Sequence, residues 1–113
     1  VMNSELYKSA WQKWSSGDRQ AAKDLYAEDA TIESLGKSST GKQVRTKYEH
    51  FSWCDSNNLQ VLEMRLLSAN DSHMVWANRF TADGMDEVMA ALGHETIENG
   101  KITQSVWCRA PAP

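Results

Sequence analysis

The chain has 113 residues, of which 41% are hydrophobic and five are tryptophan. That length predicts a single domain over residues 1–113 with a short tail at 110–113, and it excludes two independent cores. The net charge is −3, with basic residues dispersed among acidic ones, so we expect neither a nucleic acid nor a membrane surface as partner. No apolar run approaches the roughly 20 residues that span a bilayer, so we expect a cytoplasmic protein.

Two short helices are predicted at the start of the chain. Leu6, Ala10 and Trp14 recur at helical spacing and predict a first helix over Ser4 to Ser15. Asp18 is then predicted to cap a second helix, because its carboxylate can accept hydrogen bonds from the free amides of the first turn. The two helices form a predicted hairpin.

A short strand over Ala30 to Ser34 and a polar loop over Gly36 to Thr40 follow. Thr40 and Gln43 have the spacing of a capping box, so a third helix is predicted to begin there. The buried stripe of this helix is predicted to be Val44, Tyr48 and Phe51.

The second half of the chain has the pattern of strands separated by turn residues. The predicted strands are Leu59 to Leu67, His73 to Asp83, Glu87 to Ile97 and Lys101 to Arg109. The dipeptide Asn99–Gly100 predicts a tight type I′ turn, which pairs Ile97 with Ile102 and His94 with Ser105. Helices first and a sheet after them predict an α+β fold.

The chemistry-bearing residues exclude several kinds of site. Cys54 and Cys108 are two thiols in a chain with a sizeable core, and we expect both to be reduced. His50, His73 and His94 lie far apart in the sequence, so no metal site is predicted. The chain contains no phosphate-binding glycine loop and no nucleophile elbow, and we expect no cofactor.

Four segments in a fixed order carry a resemblance to a known superfamily. They are Trp14 to Asp18, Leu25 to Glu33, the predicted helix start at Gly41, and Glu98 to Ile102. With these segments the chain resembles the nuclear transport factor two-like superfamily, especially its SnoaL-like and ketosteroid isomerase-like branch. The resemblance implies a cone-shaped, curved antiparallel sheet wrapped around three N-terminal helices, a cystatin-like or SnoaL-like α+β barrel with an open pocket. It also implies a homodimer formed through the outer face of the sheet.

The aspartates that relatives use for catalysis are missing from the matching positions. The base and the tyrosine of ketosteroid isomerases fall on Ser34 and Ala10. In limonene epoxide hydrolase-like enzymes, the arginine matches Arg79 but the two aspartates fall on Thr81 and Trp107. The sequence therefore leaves open whether the protein is an isomerase, a cyclase, a lyase or no enzyme.

SnoaL-type cyclases carry an acid/base residue on the strand before the last hairpin. By this resemblance, the matching position in this sequence is Gly93 or His94, depending on the alignment. Neighbouring strand residues face opposite sides, so only one set can line the pocket. The two sets are His94 with Ser105, Trp107 and Arg109, and Glu95 with Gln104 and Val106. We favour His94 as the catalytic base because an imidazole exchanges protons near neutral pH, with Glu95 as the alternative.

The strand from Met74 to Phe80 matches the central strand of the family without gaps. Asn78 then faces the helices among apolar residues, where its amide needs a partner and could polarise a substrate. Aromatic rings give walls suited to a flat or cyclic ligand. The predicted ligand-binding residues are Trp14, Tyr48, Met74, Trp76, Phe80, Ser105, Trp107 and Arg109.

Two functions follow from these expectations. The first is a small-molecule pocket protein that acts as a cofactor-free isomerase, cyclase or dehydratase, moving a proton on a hydrophobic cyclic substrate. The second is a non-catalytic ligand-binding or dimeric interaction module. A cavity well below about 300 Å³ would favour a pocket filled by the protein's own side chains.

Overall fold

The computed structural model describes residues 2–36, 38 and 40–113, so Lys37 and Ser39 of the predicted loop lie outside the described residues. The helices are α1 (Ser4–Ser15), α2 (Gln20–Asp24) and α3 (Lys47–Ser56). The strands are β1 (Tyr26–Ser34), β2 (Val44–Thr46), β3 (Gln60–Ala69), β4 (His73–Thr81), β5 (Met89–Glu98) and β6 (Lys101–Pro111). Part of the predicted tail is therefore strand.

The strands form one sheet in the order β2-β1-β6-β5-β4-β3. Consecutive neighbours are antiparallel except β1 and β6, which run parallel. The α+β organisation is confirmed, but the sheet is mixed rather than wholly antiparallel. Because β2 and β3 are its two edges in the described part of the chain, the sheet is open rather than a closed barrel.

The predicted first helix is confirmed, and its cap explains where it begins. The Asn3 side chain accepts a hydrogen bond from the Leu6 amide at 2.8 Å, which satisfies one free donor of the first turn. The second helix begins differently from the prediction. Arg19 is its N-cap residue, and no side chain caps it. The Asp18 amide instead donates to the Lys13 carbonyl and closes the end of α1.

The third helix begins later than predicted, at Lys47. The Glu49 amide donates to Thr46 Oγ1 at 3.1 Å, and the Thr46 amide donates to Glu49 Oε1 at 3.1 Å. This reciprocal capping box stabilises the true start. The predicted box at Thr40 was wrong because the same pattern recurs further along. The later start leaves Val44 in a strand and exposed.

Aromatic packing between α1 and α3 holds the helices on the inner face of the sheet. The Trp11 and Phe51 rings stack with centroids 5.8 Å apart. Trp14 is almost completely buried, and its indole N–H donates to the Leu59 carbonyl at 3.0 Å. The indole donor of Trp14 is therefore satisfied although the ring is buried.

The β5–β6 hairpin has the predicted turn. Asn99 and Gly100 both have positive φ, 52° and 75°, as a type I′ turn requires. Ile97 pairs with Ile102 as predicted. The turn therefore fixes the pairs next to it, Glu98 with Lys101 and Ile97 with Ile102.

The register changes one step beyond that pair, where Thr103 is an extra residue on β6. This bulge places Ser105 opposite Glu95, whereas the prediction paired Ser105 with His94. His94 lies opposite Val106 instead. Because side chains alternate between the two faces, a one-residue shift decides which residues face the helices.

Candidate functional site

A cavity of about 110 Å³ lies between the inner face of the sheet and the helices. Its buried lining includes the polar side chains of Tyr7, Tyr26, Glu95 and Ser105 among apolar ones, and half-buried side chains such as Trp107 line it as well. The volume is below the roughly 300 Å³ at which ligand pockets usually begin. By the criterion given above, this volume favours a space that is largely filled by the protein's own side chains. What remains accommodates only a small ligand or one part of a larger ligand.

Glu95 is the acidic side chain of this cavity and is only 4% exposed. Its Oε1 accepts hydrogen bonds from the Tyr7 hydroxyl at 3.2 Å and the Ser105 hydroxyl at 3.0 Å. No described residue pairs with Oε2. Burial raises the pKa of Glu95 to about 7, although the hydrogen bonds from Ser105 and Tyr7 act in the opposite direction.

Two tyrosine hydroxyls accompany this carboxyl group. Burial raises the pKa of Tyr7 and of Tyr26 well above the ordinary value, and a negative charge on Glu95 raises both further. Both phenols are therefore neutral donors at physiological pH. The ring of Tyr7 stacks on Trp76 with centroids 5.1 Å apart, which fixes the direction of its hydroxyl.

Asn78 lies on β4 and also lines the cavity. Its Oδ1 is buried and has no hydrogen-bond partner among the described residues. An unpaired buried amide oxygen costs about 1 to 3 kcal/mol, which a ligand donor or a bound water offsets. Asn78 is therefore a polar group available to a ligand.

His50 and Cys54 lie one turn apart on α3 and line the cavity. The Cys54 Sγ and His50 Nε2 atoms are 3.7 Å apart. Burial raises the pKa of Cys54 to about 12 and lowers the pKa of His50 to about 3. Both groups are therefore neutral, and the pair is not a thiolate nucleophile with an imidazolium partner.

The structure corrects the preference for His94 as the residue facing the pocket. His94 lies between Gly93 and Glu95, which both line the cavity, so its side chain lies on the opposite face of the sheet. There its ring centroid is 4.8 Å from that of His73. Neither predicted set of lining residues is found whole, because the bulge at Thr103 combines Glu95 with Ser105.

The predicted ligand-binding residues divide into three groups. Phe80, Ser105 and Trp107 line the cavity together with Asn78 and Glu95. Trp14, Met74 and Trp76 are buried in the core and do not line it. Tyr48 is 81% exposed because α3 begins later than predicted, and Arg109 has its guanidinium carbon 5.9 Å from the Trp107 ring.

Tyr7 and Tyr26 are the site residues that the sequence reasoning did not select. The resemblance places a family tyrosine at Ala10 of the first helix. Tyr7 lies one turn before Ala10, and both residues are buried on the same face of α1. A search of adjacent helical turns, rather than of one aligned position, would have found it.

No group of three or more His, Cys, Asp or Glu within residues 2–36, 38 and 40–113 is arranged to hold a metal ion. Cys54 and Cys108 are free cysteines. None of the described helices combines the length and the apolar character needed to cross a bilayer.

Comparison with solved structures gives the fold. An NTF2-like protein of unknown function from Cytophaga hutchinsonii matches with a TM-score of 0.75 and 13% identity, over 98% of this chain and 93% of that chain. A proposed ketosteroid isomerase from Kribbella flavida matches with a TM-score of 0.72 and 16% identity, over 96% and 78% of the two chains. A proposed SnoaL-like polyketide cyclase from Mesorhizobium loti matches with a TM-score of 0.61 and 20% identity, over 95% and 98%.

No family model matches the chain, and no curated protein matches it in sequence. At identities between 13% and 20% the structural likeness shows the fold. The chain has the NTF2-like α+β fold that the sequence resemblance implies. What it binds must be argued from its own cavity.

Proposed function

We propose that this NTF2-like chain binds a small, largely apolar molecule in its cavity and exchanges a proton with that molecule through Glu95. One observation carries the proposal: a buried carboxyl group has one oxygen held by Tyr7 and Ser105, and its other oxygen is unpaired at the cavity. Burial brings the pKa of Glu95 to about 7. A group with that pKa is suited to act as base and as acid at neutral pH.

The reaction class follows from these groups. The carboxylate of Glu95 removes a proton from a carbon next to a carbonyl, and the electron pair of the broken C–H bond moves into an enolate. The Tyr26 hydroxyl and the amide nitrogen of Asn78 are the donors available to hydrogen-bond the developing charge, because the Tyr7 and Ser105 hydroxyls already donate to Glu95. Glu95 then returns the proton to another carbon, which gives an isomerase, or to a leaving hydroxyl group, which gives a dehydratase.

The names of the matched structures support this class, since one is a proposed isomerase and another a proposed cyclase. The small cavity limits the substrate to a compact molecule or to the end of a larger one. The base in this proposal is Glu95 rather than His94, because His94 lies on the other face of the sheet.

A test uses β,γ-unsaturated cyclohexenone, whose conversion into the conjugated isomer is followed by ultraviolet absorbance. Glu95→Gln keeps the size of the side chain and removes the base, so we expect turnover to fall at least about 100-fold. His94→Gln is the matched control and should leave turnover unchanged. Equal turnover by wild type and Glu95→Gln would contradict the proposal, and no turnover by wild type would favour the non-catalytic alternative.

A second proposal concerns association with another copy through the outer face of the sheet. Apolar side chains there lie next to one another on β4, β5 and β6, namely Val75, Ala77, Leu92 and Val106. Glu63 and Arg79 lie on the same face and form an ion pair, with Arg79 Nε 3.4 Å from Glu63 Oε2. An apolar patch whose neighbouring charges are already paired presents no unbalanced charge to a second copy related by a two-fold axis, which favours a homodimer.

A further inference from the structure

Arg45 on β2 is a buried cation without a hydrogen-bond partner at two of its nitrogens. The residue is 3% exposed, and no described residue accepts a hydrogen bond from Nε or Nη2. A buried guanidinium usually has a carboxylate beside it, because an unpaired buried charge costs several kcal/mol. Burial accordingly lowers the pKa of Arg45.

The two unpaired nitrogens of Arg45 specify the geometry of a partner. Nε and Nη2 carry parallel N–H bonds on one edge of the guanidinium plane. A carboxylate matches this edge with its two oxygens, in the bidentate arrangement that makes arginine the preferred residue for such groups. The unfilled hydrogen-bonding edge of Arg45 therefore matches a planar, two-oxygen anion.

The nearby acidic group does not fill this position. Glu49 lies in the first turn of α3, directly after β2, and its negative charge raises the pKa of Arg45. Its carboxylate instead accepts hydrogen bonds from Lys42 Nζ and the Thr46 amide. Arg45 and Glu95 do not form an ion pair either, so the carboxyl group of the cavity leaves the guanidinium unmatched.

Arg45 does not itself line the cavity but lies behind one of its walls, at Trp107. Its guanidinium carbon is 5.7 Å from the Trp107 ring. After burial, the charge of Arg45 is the next cause that acts on the pKa of both His50 and Cys54. Trp107, His50 and Cys54 all line the cavity.

Two further polar atoms near this end of the cavity also have no described partner. Ser34 pairs in register with Trp107, and its Oγ is buried and unpaired. The Nδ1 atom of His50 is buried and unpaired as well. A hydroxyl group and an imidazole can each donate a hydrogen bond to an anion.

We propose that Arg45, with Ser34 and His50 beside it, binds the carboxylate of the ligand, so that the cavity prefers small apolar molecules that carry a carboxylate to their neutral analogues. The proposal rests on the proposed function, since it names the class of molecule that occupies the same cavity. The Nε and Nη2 atoms of Arg45 hold the carboxylate of the ligand, and Glu95 faces the part of the ligand that reacts. Because Nε and Nη2 are closed to solvent, the half-buried indole of Trp107 moves aside when the carboxylate enters.

The test compares benzoate with its neutral analogue benzamide by isothermal titration calorimetry. We expect wild type to bind benzoate at least about 10-fold more tightly, as the loss of a charged hydrogen-bonding partner predicts. Arg45→Met has an unbranched side chain of similar length without a charge and should remove this preference. Arg45→Lys should reduce the preference, because lysine keeps the charge but lacks the two parallel N–H donors. Arg109→Met is the matched control, since Arg109 also lies against Trp107, and it should keep the preference.

Two results would overturn the proposal: equal affinity of wild type for the two compounds, and a preference for benzoate that survives in Arg45→Met. If Arg45→Met does not fold, Arg45→Lys and the wild-type comparison decide the question. Glu95→Gln separates this proposal from the previous one. If Glu95→Gln loses turnover but wild type shows no preference for benzoate, only the anion site is contradicted. If the preference depends on Arg45 but Glu95→Gln turns over as fast as wild type, only the proton transfer is contradicted.

Discussion

At the scale of single residues, the polar groups of the cavity are held in place by packing rather than by charge. Tyr7 is stacked on Trp76 and donates to Glu95, and Ser105 reaches Glu95 from the neighbouring strand. These contacts fix the orientation of the carboxyl group before any ligand binds. Preorganised groups of this kind contribute more to catalysis than mobile ones.

The raised pKa of Glu95 predicts a pH-dependent stability. Its folded value is about 7 against an ordinary 4.5, so the folded state binds this proton more tightly than the unfolded chain does. The contribution is fully present below pH 4.5 and is lost as the pH rises through about 7. Over that range the shift corresponds to about 3 kcal/mol.

His50 opposes this dependence in part of the same range. Burial lowers its pKa to about 3, so its contribution is present above its ordinary value of 6.5 and is lost as the pH falls through about 3. The measurement is therefore the free energy of unfolding of wild type minus that of Glu95→Gln, from urea titrations at a series of pH values. We expect this difference in the free energy of unfolding to fall between about pH 4.5 and pH 7. A difference that does not change with pH would contradict the raised pKa of Glu95.

The residue that faces the cavity could not be derived from the sequence. The turn at Asn99 and Gly100 predicts the pairing of Ile97 with Ile102 correctly, but nothing local marks Thr103 as a bulge. The bulge forms where β6 also pairs with β1, so its position depends on contacts between strands distant in sequence. One extra residue then exchanges His94 for Glu95 at the cavity.

At the scale of secondary-structure elements, the start of α3 depends on one capping box. Thr46→Ala removes the acceptor of the Glu49 amide, so we expect a loss of about 1 kcal/mol in the free energy of unfolding. Thr40→Ala is the control, because Thr40 lies in a turn outside the helix and should change stability little. Chemical denaturation measures both variants, and an equal loss in the two would contradict the observed helix start.

The start of α1 could be predicted from the sequence, whereas the start of α3 could not. The core-facing side of α1 has regular helical spacing over its full length, and Asn3 precedes it as a cap. The α3 segment is preceded by two threonines, each followed three residues later by glutamine or glutamate. The choice between them is made by β2, which pairs with β1 at Arg45 and so cannot be helical.

At the scale of the whole molecule, the sheet separates two surfaces of different composition. The inner face packs on the helices and forms the cavity, while the outer face presents apolar side chains beside the ion pair of Glu63 with Arg79. The order of segments in the sequence was sufficient to predict this arrangement. The parallel pairing of β1 with β6 was not predicted, because it joins the two halves of the chain.

The proposed homodimer gives a prediction at this scale. Leu92 is 51% exposed on the outer face of β5, so Leu92→Asp should place a charge in the contact and weaken the dimer at least about 10-fold. Leu35→Asp is the control, since Leu35 is 66% exposed beyond the end of β1. Sedimentation equilibrium measures the dissociation constant. A wild-type protein that remains a monomer at high concentration would contradict the proposal.

The central claim is that Glu95 is a buried carboxyl group that exchanges its proton near neutral pH. The most direct measurement is a carboxyl-carbon NMR titration of protein labelled in its glutamates, with Glu95→Gln used to assign the resonance. We predict a midpoint near 7 for Glu95, well above that of the exposed glutamates. A midpoint near the ordinary 4.5 would contradict the account, because the carboxyl group would then be charged at neutral pH and unable to act as an acid.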